Sequence, residues 1–174
     1  LFQSLSLAQN VAFPLLERGD LSRKLADDLA RRKLAAVGLA DAADLPPSRV
    51  SGGMKKRAGI ARALACDPEF LFLDEPSAGL DPATAAGIDR LILSVRERFG
   101  ATVVVITHEL ASLHTIADDL VMLHEGRVLA AGSREEVERS DHPAVRAFFE
   151  RTAPDPEAAP SAFRARLDAA SEGP

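Results

Sequence analysis

Apolar residues recur at helical spacing in two early segments of the chain. In the first, leucines stand at every fourth position from Leu21 to Leu29, and a pair of aspartates precedes a pair of arginines by four residues. This pattern predicts an amphipathic helix that ends near Gly38. A second helix is predicted to begin at Ser51, a residue type that caps helix N-termini, and to continue to about Ala65.

The middle of the chain contains two short, fully apolar runs. FLFL occupies residues 70–73 and ATVVVI occupies residues 101–106, while residues 83–98 between them have the length of a helix. The order strand, helix, strand with apolar strands predicts a parallel sheet that is buried on both faces. We therefore expect an α/β fold.

The last part of the chain predicts smaller elements. A short helix over residues 110–117 leads to LVML and RVLAAG, which predict a hairpin that turns at HEGR, and SREEVE and HPAVRAFFE predict two closing helices. The sequence TAPDPEAAPSAF that follows Arg151 is rich in proline and alanine and supplies too few large apolar residues for a core. Residues 151–174 are therefore expected to form a flexible C-terminal tail.

Composition limits the class of protein. The 174 residues, 47% of them hydrophobic, suffice for one domain or for the larger part of one. The net charge of −5 and the scattered basic residues predict no nucleic-acid partner. A single cysteine, Cys66, excludes an internal disulfide, and no apolar run approaches the roughly 18 residues that cross a bilayer. Because the chain begins at Leu1 in the middle of a pattern, we expect an upstream part to be missing.

Two adjacent carboxylates follow the first apolar run, in FLFLDEP. A buried parallel strand that ends in Asp74 and Glu75 places both acids at the carboxyl edge of the sheet, where open α/β folds bind their ligands. Asp74 is suited to hold Mg²⁺ through water, and Glu75 is suited to orient or deprotonate an attacking water. The alternative is a strand end with solvated acids, which is the better interpretation of this dipeptide by itself.

Two further motifs strengthen the functional interpretation. In SAGLD, Asp81 can cap the following helix, and in ITHE the second strand delivers His108 to the same sheet edge, where an imidazole can contact a terminal phosphate. Taken alone, His108 is better explained as a structural or surface histidine. A zinc protease pattern is excluded because it needs a second histidine at the position of Ser112.

The stretch SGGMKKR has the features of a phosphate-binding helix start. Gly52 and Gly53 leave the free N–H groups of the helix N-terminus open to an anion, and the hydroxyl of Ser51 adds a donor. The alternative is a helix cap followed by turn glycines. The basic residues 55–57 have the simpler interpretation of a solvated face.

In this order, VSGGMKKR, FLFLDEP, SAGLD and ITHE resemble the ATP-binding subunits of ABC transporters, and the resemblance extends to about Glu150. It implies a P-loop NTPase-like cassette of the α/β class, present in part. A helical subdomain is expected over residues 1–50, and the signature helix with the catalytic part of the RecA-like parallel-sheet core over residues 51–150.

The resemblance also implies roles for individual residues. Val50 and Met54 stand where leucine and glutamine are usual, which are mild departures. By the family pattern, the signature loop is Ser51, Gly52 and Gly53, the Walker B magnesium residue is Asp74, the catalytic base is Glu75, the D-loop acid is Asp81, and the switch histidine is His108.

Two motifs of the family are missing from the chain. No lysine follows the glycine-rich pattern GxxxxGK[ST], so the Walker A loop that cradles phosphates is absent. Gln3 imitates the Q-loop glutamine, but in an ungapped comparison with the family pattern it falls beyond that loop. We therefore do not assign Gln3 as a magnesium ligand, and we expect the chain alone to lack ATPase activity and to bind nucleotide weakly.

The family pattern further implies partners and a location. Two subunits pack head to tail, each ATP with its Mg²⁺ lies between the Walker A loop of one and the signature helix of the other, and the homodimer binds a permease on the cytoplasmic face of the bacterial inner membrane. The methionine after the signature glycines resembles the subgroup that serves MlaE-type permeases in phospholipid or other lipid transport. The alternatives are a cassette for amino acids or another solute, a non-transport ABC ATPase and a degenerate module.

Overall fold

The structure is a computed structural model that describes residues 1–19 and 21–151. Apart from Arg151, the tail expected over residues 151–174 lies outside the described residues. The chain divides into two compact units, Leu1–Ile116 and Ala117–Pro174. The subdomain boundary that we expected at residue 50 falls inside the first unit.

The first unit begins with a layer of three helices: α1 (Leu7–Glu17), α2 (Arg23–Ala36) and α3 (Gly52–Ala63), with short 3-10 turns at Ala40–Ala42 and Pro47–Arg49. Serines cap all three helices, and these caps explain why the helices start where they do. The helices pack on one another through buried leucine, valine and alanine side chains. Both predicted helices, those ending near Gly38 and Ala65, are confirmed.

A two-stranded parallel sheet follows the helical layer. Strand β1 (Phe70–Asp74) and strand β2 (Thr102–Ile106) pair in register, with Asp74 opposite Ile106, and helix α4 (Pro82–Phe99) forms the crossover between them. Helix α5 (Leu110–Ile116) ends the unit. The predicted order strand, helix, strand and the parallel pairing are confirmed.

The prediction that both faces of this sheet are buried is wrong for the described residues. Leu71 and Leu73 lie in the core formed with the helices, whereas Phe72 is 66% exposed and Ile106 is 52% exposed. The described helices of the first unit pack against the Leu71 face, and side chains alternate between the faces of a strand. The other face therefore remains open although its residues are apolar.

A buried lysine connects α2 with the segment between α3 and β1. The ammonium group of Lys33 forms an ion pair with Asp67 and lies 4.4 Å from the centre of the Phe99 ring at the end of α4. Only 10% of the Lys33 side chain is exposed, so its charge is compensated by the carboxylate and the aromatic face. These two contacts connect the helical layer with Asp67, just before β1, and with Phe99, at the end of α4.

The described residues of the second unit form a hairpin and two helices. Strands β3 (Asp119–His124) and β4 (Arg127–Ser133) are antiparallel, and Glu125 and Gly126 both have positive φ at the turn, as a type I′ hairpin requires. Helices α6 (Arg134–Glu138) and α7 (Pro143–Glu150) follow the hairpin, as predicted. None of the described helices has the length and hydropathy of a membrane-spanning segment.

Candidate functional site

Glu75 and His108 meet at the carboxyl edge of the parallel sheet. Glu75 follows β1 directly, with φ at +46°, and its main-chain N–H donates to the carbonyl of Ile106 at 2.9 Å. Its carboxylate lies 2.6 Å from Nδ1 of His108, and the hydroxyl of Thr107 approaches its other oxygen at 3.5 Å. The structure therefore brings together the two residues that the sequence placed at one edge.

The carboxylate of Glu75 sets the protonation of His108. The hydrogen bond to Glu75, and then the negative charge of that carboxylate, raise the pKa of the His108 imidazole above its usual value. The His108 side chain is 76% exposed, and in the described part of the chain its Nε2 has no hydrogen-bond partner. Because Nδ1 is held by the carboxylate, His108 presents a positively charged Nε2–H donor to an anion in solution when the imidazole is protonated.

Asp74 is the last residue of β1 and is exposed at the same edge. The described residues contain no group of three or more His, Cys, Asp or Glu that could hold a metal ion by itself. Mg²⁺ in nucleotide sites commonly uses one or two carboxylates, with phosphate oxygens and waters completing its octahedron. The single accessible carboxylate of Asp74 fits an ion that arrives with a nucleotide, and it does not fit a resident metal.

Helix α3 begins at the predicted position, but its two glycines differ in environment. Ser51 caps the helix by accepting the Met54 N–H at 3.3 Å, and Gly52 is exposed beside it. Gly53 is buried, and a Cβ at this position would lie only 2.6 Å from Cγ2 of Thr84 on α4. The absence of a side chain at Gly53 is therefore explained by close helix packing, and the opening toward an anion is at Gly52.

Asp81 caps helix α4, as predicted. One carboxylate oxygen accepts the N–H groups of Ala83 at 3.1 Å and Thr84 at 3.0 Å. The hydrogen bonds from Thr84 lower the pKa of Asp81, which therefore stays ionised at neutral pH. Because Thr84 also touches Gly53, the start of α4 and the start of α3 are packed together at one residue.

Lys56 was missed by the sequence interpretation, which assigned it to a solvated face. Its ammonium group donates to the main-chain carbonyl of Glu75 at 2.6 Å in a partly buried position, while the neighbouring Lys55 is exposed. The contact joins residues 19 positions apart, so no local spacing reveals it. Gln3, which we did not assign to the site, lies in an exposed turn before α1.

Comparisons with known proteins show what this chain is similar to. A family model described as ABC transporter matches residues 1–78. The probable ribonucleotide transport ATP-binding protein mkl of Mycobacterium tuberculosis is 40% identical over 149 residues, which are 86% of this chain and 42% of that protein. The intermembrane phospholipid transport system ATP-binding protein MlaF of Escherichia coli K12 is 38% identical over 156 residues, 90% of this chain and 58% of that protein.

Two further matches extend the comparison. The methionine import ATP-binding protein MetN 1 of Pseudomonas putida is 38% identical over 151 residues, 86% of this chain and 45% of that protein. A solved structure of the ATP-binding cassette MJ0796, a dimer in a post-hydrolysis state bound to ADP and Pi, superposes with a TM-score of 0.66 at 32% identity over 76% of this chain and 58% of that one. The chain spans about half the length of the curated relatives it matches. The sequence matches and the shared fold together show that this chain is similar to ATP-binding cassette proteins.

Proposed function

We propose that this chain is part of the ATP-binding and ATP-hydrolysing subunit of an ABC transporter, and that Glu75 and His108 act on the terminal phosphate. The observation that carries the proposal is the 2.6 Å contact between the Glu75 carboxylate and Nδ1 of His108 at the carboxyl edge of a parallel sheet. Relatives that are named as ATP-binding proteins of transport systems support it.

Glu75 is suited to the role of general base. Its carboxylate orients a water molecule and takes a proton from it as the water oxygen bonds to the γ-phosphorus, while the bond from that phosphorus to the β–γ bridging oxygen breaks and ADP leaves. His108 donates from Nε2 to a γ-phosphate oxygen, with Nδ1 held by Glu75. The ion pair therefore orients base and donor toward the same phosphate.

The start of α3 supplies uncharged hydrogen-bond donors for a phosphate group. The hydroxyl of Ser51 accepts the Met54 N–H, so its own O–H proton remains available for a phosphate oxygen, and the exposed Gly52 leaves the first helical N–H groups accessible. By the family pattern, this helix start serves a nucleotide that a second copy of the subunit holds. We therefore propose a head-to-tail homodimer as the active form.

Asp74 is the residue that would hold Mg²⁺, through a water molecule. When it is bound with ATP, the ion neutralises negative charge on the phosphates. Asp81, which is ionised and exposed at the cap of α4, is assigned to the same nucleotide interface by the family pattern.

For the cargo we propose phospholipid or another lipid, carried by an MlaE-type permease. Met54 after the signature glycines and the 38% identity to the phospholipid transport protein MlaF support this assignment. A small solute is the second candidate, because the methionine import relative is also 38% identical and the relative named for ribonucleotide transport is 40% identical. In either case residues 1–50, which contain α1 and α2, are proposed to contact the permease on the cytoplasmic face of the membrane.

The direct test is phosphate release by the complete subunit that contains this sequence. Glu75→Gln is expected to retain ATP binding and to lower turnover by about 10²–10⁴, the usual contribution of a general base. Glu97→Gln, which changes an exposed glutamate on α4, is the matched control and is expected to keep wild-type turnover. Wild-type hydrolysis by Glu75→Gln would exclude Glu75 as the base.

Two further measurements separate the alternatives. The 174-residue chain alone is expected to show no ATPase activity, and a tight one-to-one ATP titration of it would contradict this expectation. Reconstitution of the complete subunit with its permease in vesicles, with phospholipid or methionine as the candidate cargo, tests the cargo. Stimulation of hydrolysis by methionine and not by phospholipid would replace the lipid proposal with the second candidate.

A further inference from the structure

A buried polar cluster lies directly behind the Glu75–His108 pair. Ser77 is completely buried, Ser112 is 2% exposed and Asp89 is 4% exposed, while Glu109 lies at the edge of the cluster and is half-buried. Burying polar groups is costly unless they form hydrogen bonds with one another. Neither serine nor Asp89 has a role in the nucleotide chemistry proposed above.

The four side chains form one continuous series of contacts. Ser77 Oγ lies 3.2 Å from Glu109 Oε2 and 3.4 Å from Ser112 Oγ, and Ser112 Oγ lies 3.0 Å from Asp89 Oδ2. The other oxygen of Asp89, Oδ1, is buried and has no hydrogen-bond partner in the described part of the chain. The series joins the loop after β1, the loop after β2 and helices α5 and α4.

The number of protons in this series limits its charge. Three contacts require three protons, but the two serine hydroxyls supply only one each. If both carboxyl groups are ionised, each takes one hydroxyl proton, and the two serine oxygens face each other without a proton between them. If one carboxyl group is protonated, all three contacts become hydrogen bonds that run in one direction.

Burial decides which of the two acids carries the proton. Asp89 is almost completely buried and has one carboxyl oxygen without a partner, whereas Glu109 is only half-buried. Desolvation raises the pKa of Asp89 and outweighs the hydrogen bond with Ser112, which lowers it; the nearby charges of Glu109 and Arg90 have smaller effects, in opposite directions. Helix α3 packs against α4 and carries one further charged group near this region: the guanidinium of Arg57 lies against Gly87, two positions before Asp89.

We propose that Asp89 is a neutral carboxylic acid that donates to Ser112, that Ser112 donates to Ser77 and Ser77 to Glu109, and that this hydrogen-bond chain positions His108 beside Glu75. This series of hydrogen bonds forms a second connection between the loop after β1 and the loop after β2, since Ser77 is two residues beyond Glu75 and Glu109 is adjacent to His108. Its catalytic consequence rests on the proposed function, but the placement of the proton does not.

The protonation state is tested by ¹³C NMR of the aspartate carboxyl groups in the chain, with Asp89→Asn to assign the Asp89 signal. We expect this signal to keep its protonated position to a pH above the usual range of aspartate ionisation. We also expect the stability contributed by Asp89 to be complete below its unfolded-state pKa and to decline as pH rises through the raised folded-state pKa. Asp89→Asn is expected to remove this decline. An Asp89 signal that titrates in the usual range or below it would overturn the proposal.

The positioning role is tested by the titration of His108, followed by ¹H–¹⁵N NMR. Ser77→Ala and Ser112→Ala each interrupt the series and are expected to move the His108 pKa back toward its usual value. Asp89→Asn keeps a neutral donor at this position and is expected to leave the His108 pKa as in the wild type. Ser94→Ala, a serine-to-alanine change in the first unit but outside the series, is the control and is expected to leave the His108 titration unchanged.

An unchanged His108 titration in whichever of the two serine variants folds would exclude the positioning role. Neither NMR measurement requires nucleotide. Failure of this proposal is therefore distinguishable from failure of the ATPase proposal, which is decided by phosphate release from the complete subunit.

Discussion

The ammonium group of Lys56 donates to the main-chain carbonyl of Glu75 at 2.6 Å. Glu75 has a positive φ of 46°, a conformation that costs a non-glycine residue about 1–3 kcal/mol. Its N–H donates to Ile106, so the two polar groups of its main chain are both held by hydrogen bonds. Lys56 thus connects helix α3, which begins at the candidate phosphate-binding turn, to the main chain of the candidate base.

Replacing this lysine tests the connection. Lys56→Met keeps most of the apolar side-chain length and removes the charged donor, which leaves the Glu75 carbonyl with only the longer, 3.4 Å hydrogen bond from the Ala78 N–H. We expect a loss of about 1–3 kcal/mol in the free energy of unfolding, measured by urea denaturation. Lys55→Met, at the exposed neighbouring position, is expected to change stability by less than about 0.5 kcal/mol. Equal effects of the two substitutions would show that the Glu75 contact contributes nothing to stability.

The protonation of His108 is expected to depend on Glu75. The hydrogen bond with Glu75 raises the pKa of His108. The stability that this hydrogen bond contributes is therefore complete below the unfolded-state pKa of about 6.5, and it is lost as pH rises through the raised folded-state pKa. Glu75→Gln removes the negative charge, and we expect the His108 titration to move to lower pH and the pH dependence of stability in this range to become flatter. NMR titration of the imidazole and urea denaturation across this range measure the two effects. A His108 titration that Glu75→Gln leaves unchanged would contradict the 2.6 Å ion pair.

The local features of this fold could be predicted from the sequence. Ser51 and Asp81 identify helix starts because a cap bonds to N–H groups two or three residues away, and the apolar runs identify both strands. The placement of Glu75 and His108 at one sheet edge was also predictable, since parallel strands end at one edge, whereas their direct contact was not predicted. Burial of both sheet faces was wrongly predicted, because the composition of Phe72 and its neighbours does not reveal which face the helices cover.

The longer-range contacts could not be predicted in the same way. Lys56 reaches Glu75, and Gly53 packs on Thr84, only because α3 lies across the end of β1 and the start of α4. The series from Asp89 to Glu109 combines four separate positions of the chain. Ser77 and Glu109 lie in the SAGLD and ITHE motifs, but nothing in those motifs reveals that they are linked to Ser112 and Asp89. A single sequence shows residue spacing within elements, and these contacts depend on how the elements pack.

Two helix glycines are expected to respond differently to alanine. At Gly59 in α3, an added Cβ meets nothing within 4 Å, and Gly59→Ala is expected to stabilise the chain by about 0.5–1 kcal/mol through helix propensity. At Gly87 in α4, the added Cβ would lie 3.2 Å from a guanidinium nitrogen of Arg57, which must move, so the gain is expected to be smaller or lost. Urea denaturation of both variants gives the difference. Equal stabilisation would show that Arg57 is not confined at this position.

The packing of Gly53 on Thr84 predicts a coupled pair of substitutions. Gly53→Ala places a methyl group 2.6 Å from Cγ2 of Thr84, and we expect it to destabilise the chain by about 1–3 kcal/mol, as overpacking of a buried contact does. Gly52→Ala is the matched control, because its Cβ would lie at an ordinary 3.5 Å from Leu80. Thr84→Ser removes Cγ2 and keeps the hydroxyl, so the double variant Gly53→Ala with Thr84→Ser is expected to recover a large part of the loss. A double-mutant cycle measured by urea denaturation gives the coupling energy. Strict additivity of the two free-energy changes would mean that Gly53 is required for a reason other than its contact with Thr84. That result would support a role of Gly53 in phosphate binding.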